Sequence, residues 1–174
     1  MSLLDVDLGP CRLRPFRPGD EAALQRHADD WDIARWLRDS FPHPYTADDA
    51  AGWVAYACGP GQPWVYAIDV GGEVVGCAGL TPGSDVFCRS AEIGYWVGRA
   101  YWGRGLAPLA VRALVAWAWR NTAFERVHAG VFAGNARSAK VLLRSGFIQE
   151  SVRRRGVYKA GRVLDEEIYV CLRP

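Results

Sequence analysis

The chain has no apolar run near the roughly 20 residues that a membrane-spanning helix needs. Its start, MSLLDVDLGP, carries acids where a signal peptide carries bases. Both absences point to a soluble, unprocessed, cytoplasmic protein with no membrane partner. There is no CxxC pair: Cys11, Cys58, Cys77, Cys88 and Cys171 are odd in number and scattered. That pattern favours reduced core thiols over disulfides or a zinc site, and no metal is expected. No Cys-His or Ser-His constellation stands out, which speaks against a covalent enzyme intermediate. No glycine-rich stretch ends in Gly-Lys-Ser/Thr, so there is no P-loop, and Pro108 stands where the third glycine of a dinucleotide fingerprint belongs. Repeats, low-complexity segments and interdomain linkers are also missing, so residues 1–174 read as a single domain long enough to bury a core.

Half of the residues are apolar and 12% aromatic, a globular composition. Most of the eight tryptophans are expected in the core, with those flanking a cleft free to line it. The net charge of +2 is unevenly spread: residues 1–50 carry −4 and the remainder +6. The basic part suits an anionic ligand and the acidic part a cationic amine. Arg153, Arg154 and Arg155 form the only basic run. It reads as a solvated strand or hairpin edge, because nucleic-acid binding would need a broader basic face interleaved with aromatics.

The chain is organised around AEIGYWVGRAYWGRGLAPLAVRALVAWAW, residues 91–119. Ile93, Tyr95 and Val97 alternate with Glu92, Gly94 and Trp96, which favours a half-buried strand. Leu106, Leu109, Ala110, Ala113, Leu114, Trp117 and Ala118 recur at helical steps, and Val111, Val115 and Trp119 add a second apolar row. Between them lies Gly103-Arg104-Gly105-Leu106-Ala107. Glycines there allow close approach of the main chain, and the unpaired N–H groups of a first helical turn attract anions. Pro108 is tolerated in that turn because its missing N–H costs nothing. The turn is either a phosphate cradle or simply a tight strand-to-helix connection.

Arg12 to Phe16 alternates as a first strand, and Asp20 is placed to cap a helix from Glu21. Residues 22–38 read as one or two helices broken near Asp29-Asp30, and Phe41 to Tyr45 is non-helical because of its two prolines. Thr46, with Asp48 and Asp49 in the first turn, starts a helix running to about Ala57, and Gly59-Pro60-Gly61 breaks the chain. Trp64 to Val70 and Glu73 to Leu80 form a hairpin about Gly71-Gly72, and Ala91 to Val97 extends the meander. Arg126 to Phe132 is the next strand, parallel to the one before the long helix because a helical crossover separates them. A short helix, Ala136 to Ser145, ends at Gly146. Two strands, Ile148 to Val157 and Leu164 to Leu172, finish the sheet around Lys159-Ala160-Gly161.

The run EIGYWVGRAYWGRGLA, followed about thirty residues later by NARSAKVLLRSGF, resembles the GNAT superfamily of acyl-CoA-dependent N-acyltransferases, and more narrowly its RimJ/RimL-type branch. The resemblance covers nearly the whole chain. It implies an α+β, sandwich-like fold: a mixed, mostly antiparallel seven-stranded sheet, flanked by helices, whose parallel central pair splays around the acyl-CoA. It implies transfer of an acyl group, acetyl or another such as succinyl, from acetyl-CoA or succinyl-CoA directly to a primary amine. The acceptor would be a protein N-terminal α-amine or a small-molecule amine. Homodimers are frequent in the family. Main-chain groups of Tyr95, Trp96 and Val97 would pair with the pantetheine arm, leaving their side chains free to vary. Gly103, Arg104, Gly105, Leu106 and Ala107 would cradle the pyrophosphate. Trp102 replaces a Gln or Arg frequent in the superfamily, which removes one polar contact.

Asn135, Ser138 and Leu142 share a helix face. By resemblance, Asn135 bonds the pantetheine amides, and Ser138 takes the thiolate-protonating role of a tyrosine that Leu142 replaces; the alternative for Ser138 is an ordinary helix serine. Chemistry asks little more, because about a tenth of an α-amine with pKa near 8 is neutral at pH 7. Glu92 is the best candidate for a general base, the alternative being a strand-edge glutamate paired with an arginine. Glu150 is weaker, His27, His43 and His128 are not favoured, and Asp165 is expected to make a structural hydrogen bond. Trp31, Trp36, Phe41, Tyr45 and Trp53 form either an apolar substrate wall or core. A degenerate domain that binds acyl-CoA as a sensor or scaffold is the remaining reading.

Overall fold

The two alternating runs around Gly71-Gly72 form a hairpin in the computed structural model, which describes residues 3–60 and 64–174. The strands are β1 (Val6–Asp7), β2 (Arg12–Pro15), β3 (Trp64–Val70), β4 (Glu73–Pro82), β5 (Ser90–Val97), β6 (Arg126–Phe132), β7 (Ile148–Lys159) and β8 (Arg162–Leu172). The helices are α1 (Glu21–Ala28), α2 (Trp31–Ala34), α3 (Ala47–Cys58), α4 (Leu106–Asn121) and α5 (Ala136–Arg144). Among the described residues one sheet holds these eight strands in the order β1-β2-β3-β4-β5-β6-β8-β7. Every pairing is antiparallel except β5 with β6. The strand beyond the seven expected is β1, two residues long. A turn closed by Leu8 N–H to the Cys11 carbonyl (2.8 Å) sets it against β2. Two residues are too few to show a period.

Sheet residues alternate between two cores. Ala91, Ile93, Val97, Val127, Ala129 and Val131 pack with Leu106, Val111 and Leu114 of α4. On the other face Ala67, Val74 and Cys77 pack with Leu24 of α1 and Ala50 and Val54 of α3. α3 starts as its sequence predicts: Thr46 and Asp49 form a reciprocal capping box. Asp20 occupies the N-cap of α1 but caps nothing with its side chain. Its carboxylate instead receives the buried Arg14 guanidinium through two bonds of 2.8 Å, and Asp69 takes Arg14 Nε at 2.7 Å. A charge-paired buried arginine outcompetes a cap, because leaving it unpaired is far more costly. The break of Gly59-Pro60-Gly61 begins at Gly59, and Gly61 lies outside the described residues. Lys159 belongs to β7 rather than to the final turn, where Ala160 and Gly161 carry the positive φ.

The cysteines are free, but only Cys11 and Cys77 are fully buried; Cys58 and Cys88 are exposed, which the expectation of core thiols did not include. Arg153 to Arg155 is exposed on edge strand β7, as expected. No helix among the described residues is long and apolar enough to cross a membrane.

Candidate active site

β5 and β6 pair through Ser90–Arg126, Ala91–Val127 and Glu92–His128, and then part. β5 continues against β4 to Val97, and β6 against β8 to Phe132. From Ile93 onward the side of β5 that faces β6 therefore has no strand partner. Unpaired strand groups invite another extended chain. The parting opens a cleft of about 870 Å³, within the size range of small-molecule sites.

At one end of the cleft lies the turn before α4. Gly103 and Gly105 adopt φ of 79° and 76°, left-handed values that glycine takes without strain. A Cβ at either would meet nothing within 4 Å, so both face open space. Gly105 is the N-cap of α4, no side chain caps the helix, and no described residue accepts from the N–H groups of Gly103, Arg104 or Gly105. Free N–H groups at the start of a 16-residue helix make a site that fits a phosphate.

Of the residues expected to hold the cofactor, Tyr95, Trp96, Val97, Gly103, Gly105, Leu106, Ala107, Asn135 and Ser138 line this cleft. Arg104 does not: its guanidinium bonds the Ala100 carbonyl at 3.1 Å and stacks over Tyr101. The Val97 carbonyl is occupied by Trp102 Nε1 at 2.7 Å, so Trp102 closes the end of the strand. Trp102 also carries the Arg137 guanidinium 4.0 Å above its ring. Arg137 lines the cleft, and so restores the polar group that Trp102 had removed. Sequence reasoning missed it, although Asn135 as N-cap places Arg137 in the first turn of α5.

Asn135 caps α5, its Oδ1 accepting from Ser138 N–H at 3.3 Å. Ser138 faces the cleft, while Leu142, one turn on, is fully buried. The Tyr95 side chain does not vary freely. Its hydroxyl lies 2.8 Å from Ser138 Oγ and 3.1 Å from the Ser138 carbonyl oxygen, joining β5 to α5. Burial pushes the Tyr95 phenol well above its usual range, so it stays protonated and able to donate.

The other end is aromatic. Phe41 lies 5.0 Å from Tyr45 and 5.7 Å from Trp96, and Trp36 and Trp53 complete the wall. Burial raises the Tyr45 phenol to about 12. Trp31 is outside: 45% exposed and tilted against His43 at 5.5 Å between ring centres, it does not line the cleft, whereas Asp32 and Ile33 of the same four-residue helix do. Glu92 lines the cleft, with both carboxylate oxygens held by Arg38 Nη2 at 2.6 and 2.7 Å. Glu150 is bound to Arg126 on a separate pocket of the sheet face. His27 is bound to Glu73, and His128 Nδ1 lies 3.3 Å from Ser90 Oγ. Asp165 accepts from Arg155 N–H at 2.7 Å, a structural bond as expected. Glu166, not singled out by the sequence, also lines the cleft. Among the described residues no cluster could hold a metal ion.

Residues 11–148 match the family described as the acetyltransferase (GNAT) domain. The chain belongs to the GNAT acetyltransferase family. The chain superposes with a TM-score of 0.83 on a GNAT-family acetyltransferase from Bacillus anthracis, at 19% identity over 97% of this chain and 98% of that one. It also superposes, at 0.84 and 19% identity over 97% and 98% of the two chains, on RimL, a ribosomal L7/L12 α-N-protein acetyltransferase in complex with coenzyme A. Among GNAT sequences, Bacillus subtilis YdaF, named provisionally as a ribosomal N-acetyltransferase, is 35% identical over 85 residues, 49% of this chain and 46% of its own. The chain spans about half the length of the curated relatives it matches.

Proposed function

We propose that the protein transfers an acyl group, most simply acetyl, from acyl-CoA to a cationic primary amine without a covalent enzyme intermediate. The observation that carries this reading is the parted β5–β6 pair, whose free β5 edge leads to the unpartnered N–H groups before α4. The residues fit the donor: left-handed Gly103 and Gly105 leave the phosphate space open, and Arg137 adds a fixed positive charge. When bound, acyl-CoA supplies an acyl group already activated as a thioester. Residues 103–107 hold the pyrophosphate, the edge of β5 and the Asn135 amide orient the pantetheine arm, and Trp96 with the aromatic wall excludes water. Ser138, oriented by Tyr95, donates a proton to the departing sulfur. This pair supplies the hydroxyl that Leu142 lacks, which favours an enzyme over a sensor.

The relatives support the RimJ/RimL-type branch, and with it an N-terminal α-amine or a small-molecule amine as acceptor. The cleft wall carries Asp32, Asp49, Glu92 and Glu166 beside Arg38, Arg137, Lys140 and Arg144; the bases suit an anionic donor, and the acids suit a positively charged acceptor. The test is thiol release from acetyl-CoA and succinyl-CoA with an alanyl tripeptide amide, spermidine and an aminoglycoside. Sustained release that depends on one amine is expected. Tight acyl-CoA binding with no release from any of them identifies a sensor instead.

A further inference from the structure

Two carboxylates approach the parting of β5 and β6, and their surroundings differ. Glu92 stands at the last paired rung, both of its oxygens bound to Arg38, a side chain 70% exposed on the loop after α2. Two residues further, on the same face as Glu92, the two strands carry Gly94 and Gly130, so that face has no side chain just where the strands separate. Gly94 looks onto open space, whereas a methyl group at Gly130 would collide with the Glu166 carboxylate. The Glu166 side chain, from β8, therefore lies across Gly130 and fills that half of the gap. It is 14% exposed. Its Oε2 accepts from Arg153 Nη1 at 3.0 Å, and Oε1 accepts from no described residue. Ser138 and Tyr95 lie on the opposite face of the sheet, with α5.

Resting on the acyl-transfer reading, we infer that Glu166, rather than Glu92, receives the attacking amine: its Oε1 binds the acceptor's ammonium and takes its proton. The acceptor enters past Phe41 and Trp36, and its nitrogen meets Glu166 at the glycine gap. Loss of one proton to the carboxylate leaves a neutral amine. The nitrogen then bonds to the acyl carbon as the C–S bond breaks. Ser138, on the other face, gives a proton to the sulfur, which keeps the electron pair of the broken bond, and regains one through Tyr95 from solvent. The second amine proton leaves the new amide nitrogen for solvent. Glu166 then gives its proton up to solvent, so the products are the amide, the free thiol and one net proton. Arg153, by holding Oε2, aims Oε1 at the gap.

The test pairs turnover with binding. Acetyl-CoA turnover is measured for wild type, Glu166→Gln, Glu166→Asp and Glu92→Gln, using the alanyl tripeptide amide and spermidine. Calorimetry follows the same amines binding to the CoA-saturated protein. Glu166→Gln is expected to bind CoA like wild type, to lose at least tenfold in affinity for the accepted amine and to lose about a hundredfold or more in kcat/KM. Glu166→Asp recovers part of both, and Glu92→Gln loses at least tenfold less than Glu166→Gln. Turnover and amine affinity of Glu166→Gln within threefold of wild type, or the larger loss at Glu92→Gln, would overturn the assignment. Wild type that binds CoA but releases no thiol with any amine would remove the transfer reading beneath it, a distinguishable outcome.

Discussion

Replacing Gly105 with alanine separates a phosphate cradle from a mere turn. Gly105 has φ 76° and ψ 9°, and an added Cβ would touch no protein atom within 4 Å. The protein itself therefore registers only the cost of a left-handed L-residue, about 1–2 kcal/mol. For a chain of this size each kcal/mol lowers Tm by roughly 2–4 °C. The ligand registers more, because the methyl enters the space before α4, or the turn relaxes and swings its N–H groups away. A hydrogen bond to a charged group contributes about 1.5–3 kcal/mol. Losing two of them costs about 3–6 kcal/mol, or roughly 10²–10⁴ in affinity. Gly9→Ala is the control, since Gly9 has φ 85°, equally open surroundings and no place in the cleft. Thermal melts and calorimetry with CoA are measured for both. The two variants should melt alike, and only Gly105→Ala should lose CoA. Affinity within threefold of wild type in Gly105→Ala would refute the cradle.

Tyr95→Phe and Ser138→Ala should each lower kcat more than acyl-CoA affinity, and the double variant should lose less than the product of the two, because the hydroxyls act as a unit; initial-rate kinetics checks this. Arg14→Ala should destabilise the fold by about 3–5 kcal/mol in urea unfolding, since it leaves the carboxylates of Asp20 and Asp69 buried without their cation. Burial, opposed by Glu92 and Glu150 and aided by Arg126 and Arg153, pulls His128 below its ordinary 6.5. The unfolded chain then binds more protons than the folded one, so this contribution is fully present above about pH 6.5 and is lost as pH falls through the folded pKa. His128→Asn should flatten the acid side of the stability curve measured between about pH 5 and pH 7.

The order of elements could be read from the chain because its signals are local. Thr46 with Asp49, Gly71-Gly72 and the helical period after Gly105 each act within a few residues. The parting of β5 and β6 could not be read that way, since it depends on where β4 and β8 continue to pair. The same holds for Tyr95, whose partner Ser138 lies 43 residues away, and for Arg38, which reaches Glu92 across 54. Trp31 misled because aromatic character does not reveal which way a four-residue helix turns its side chains. Glu166 sits in the run Asp165-Glu166-Glu167, where three acids hide the alternation that would mark one as cleft-facing. Register shifts in β7 at Gln149/Ser151 and Arg153/Val157 set its neighbours, and bulges of that kind leave little trace in sequence. The glycine turn reads in the sequence as either an anion cradle or a tight connection, and that it shares one cleft with the free edge of β5 comes only from the fold.

Everything proposed above requires that the cleft between β5 and β6 bind acyl-CoA. Native mass spectrometry of the protein titrated with acetyl-CoA, repeated with Gly105→Ala, tests it most directly. The wild type should carry one acetyl-CoA per chain, displaced by excess CoA, and the variant should retain none under the same conditions. A wild-type mass that does not change at any acetyl-CoA concentration, or binding that Gly105→Ala leaves intact, would contradict it.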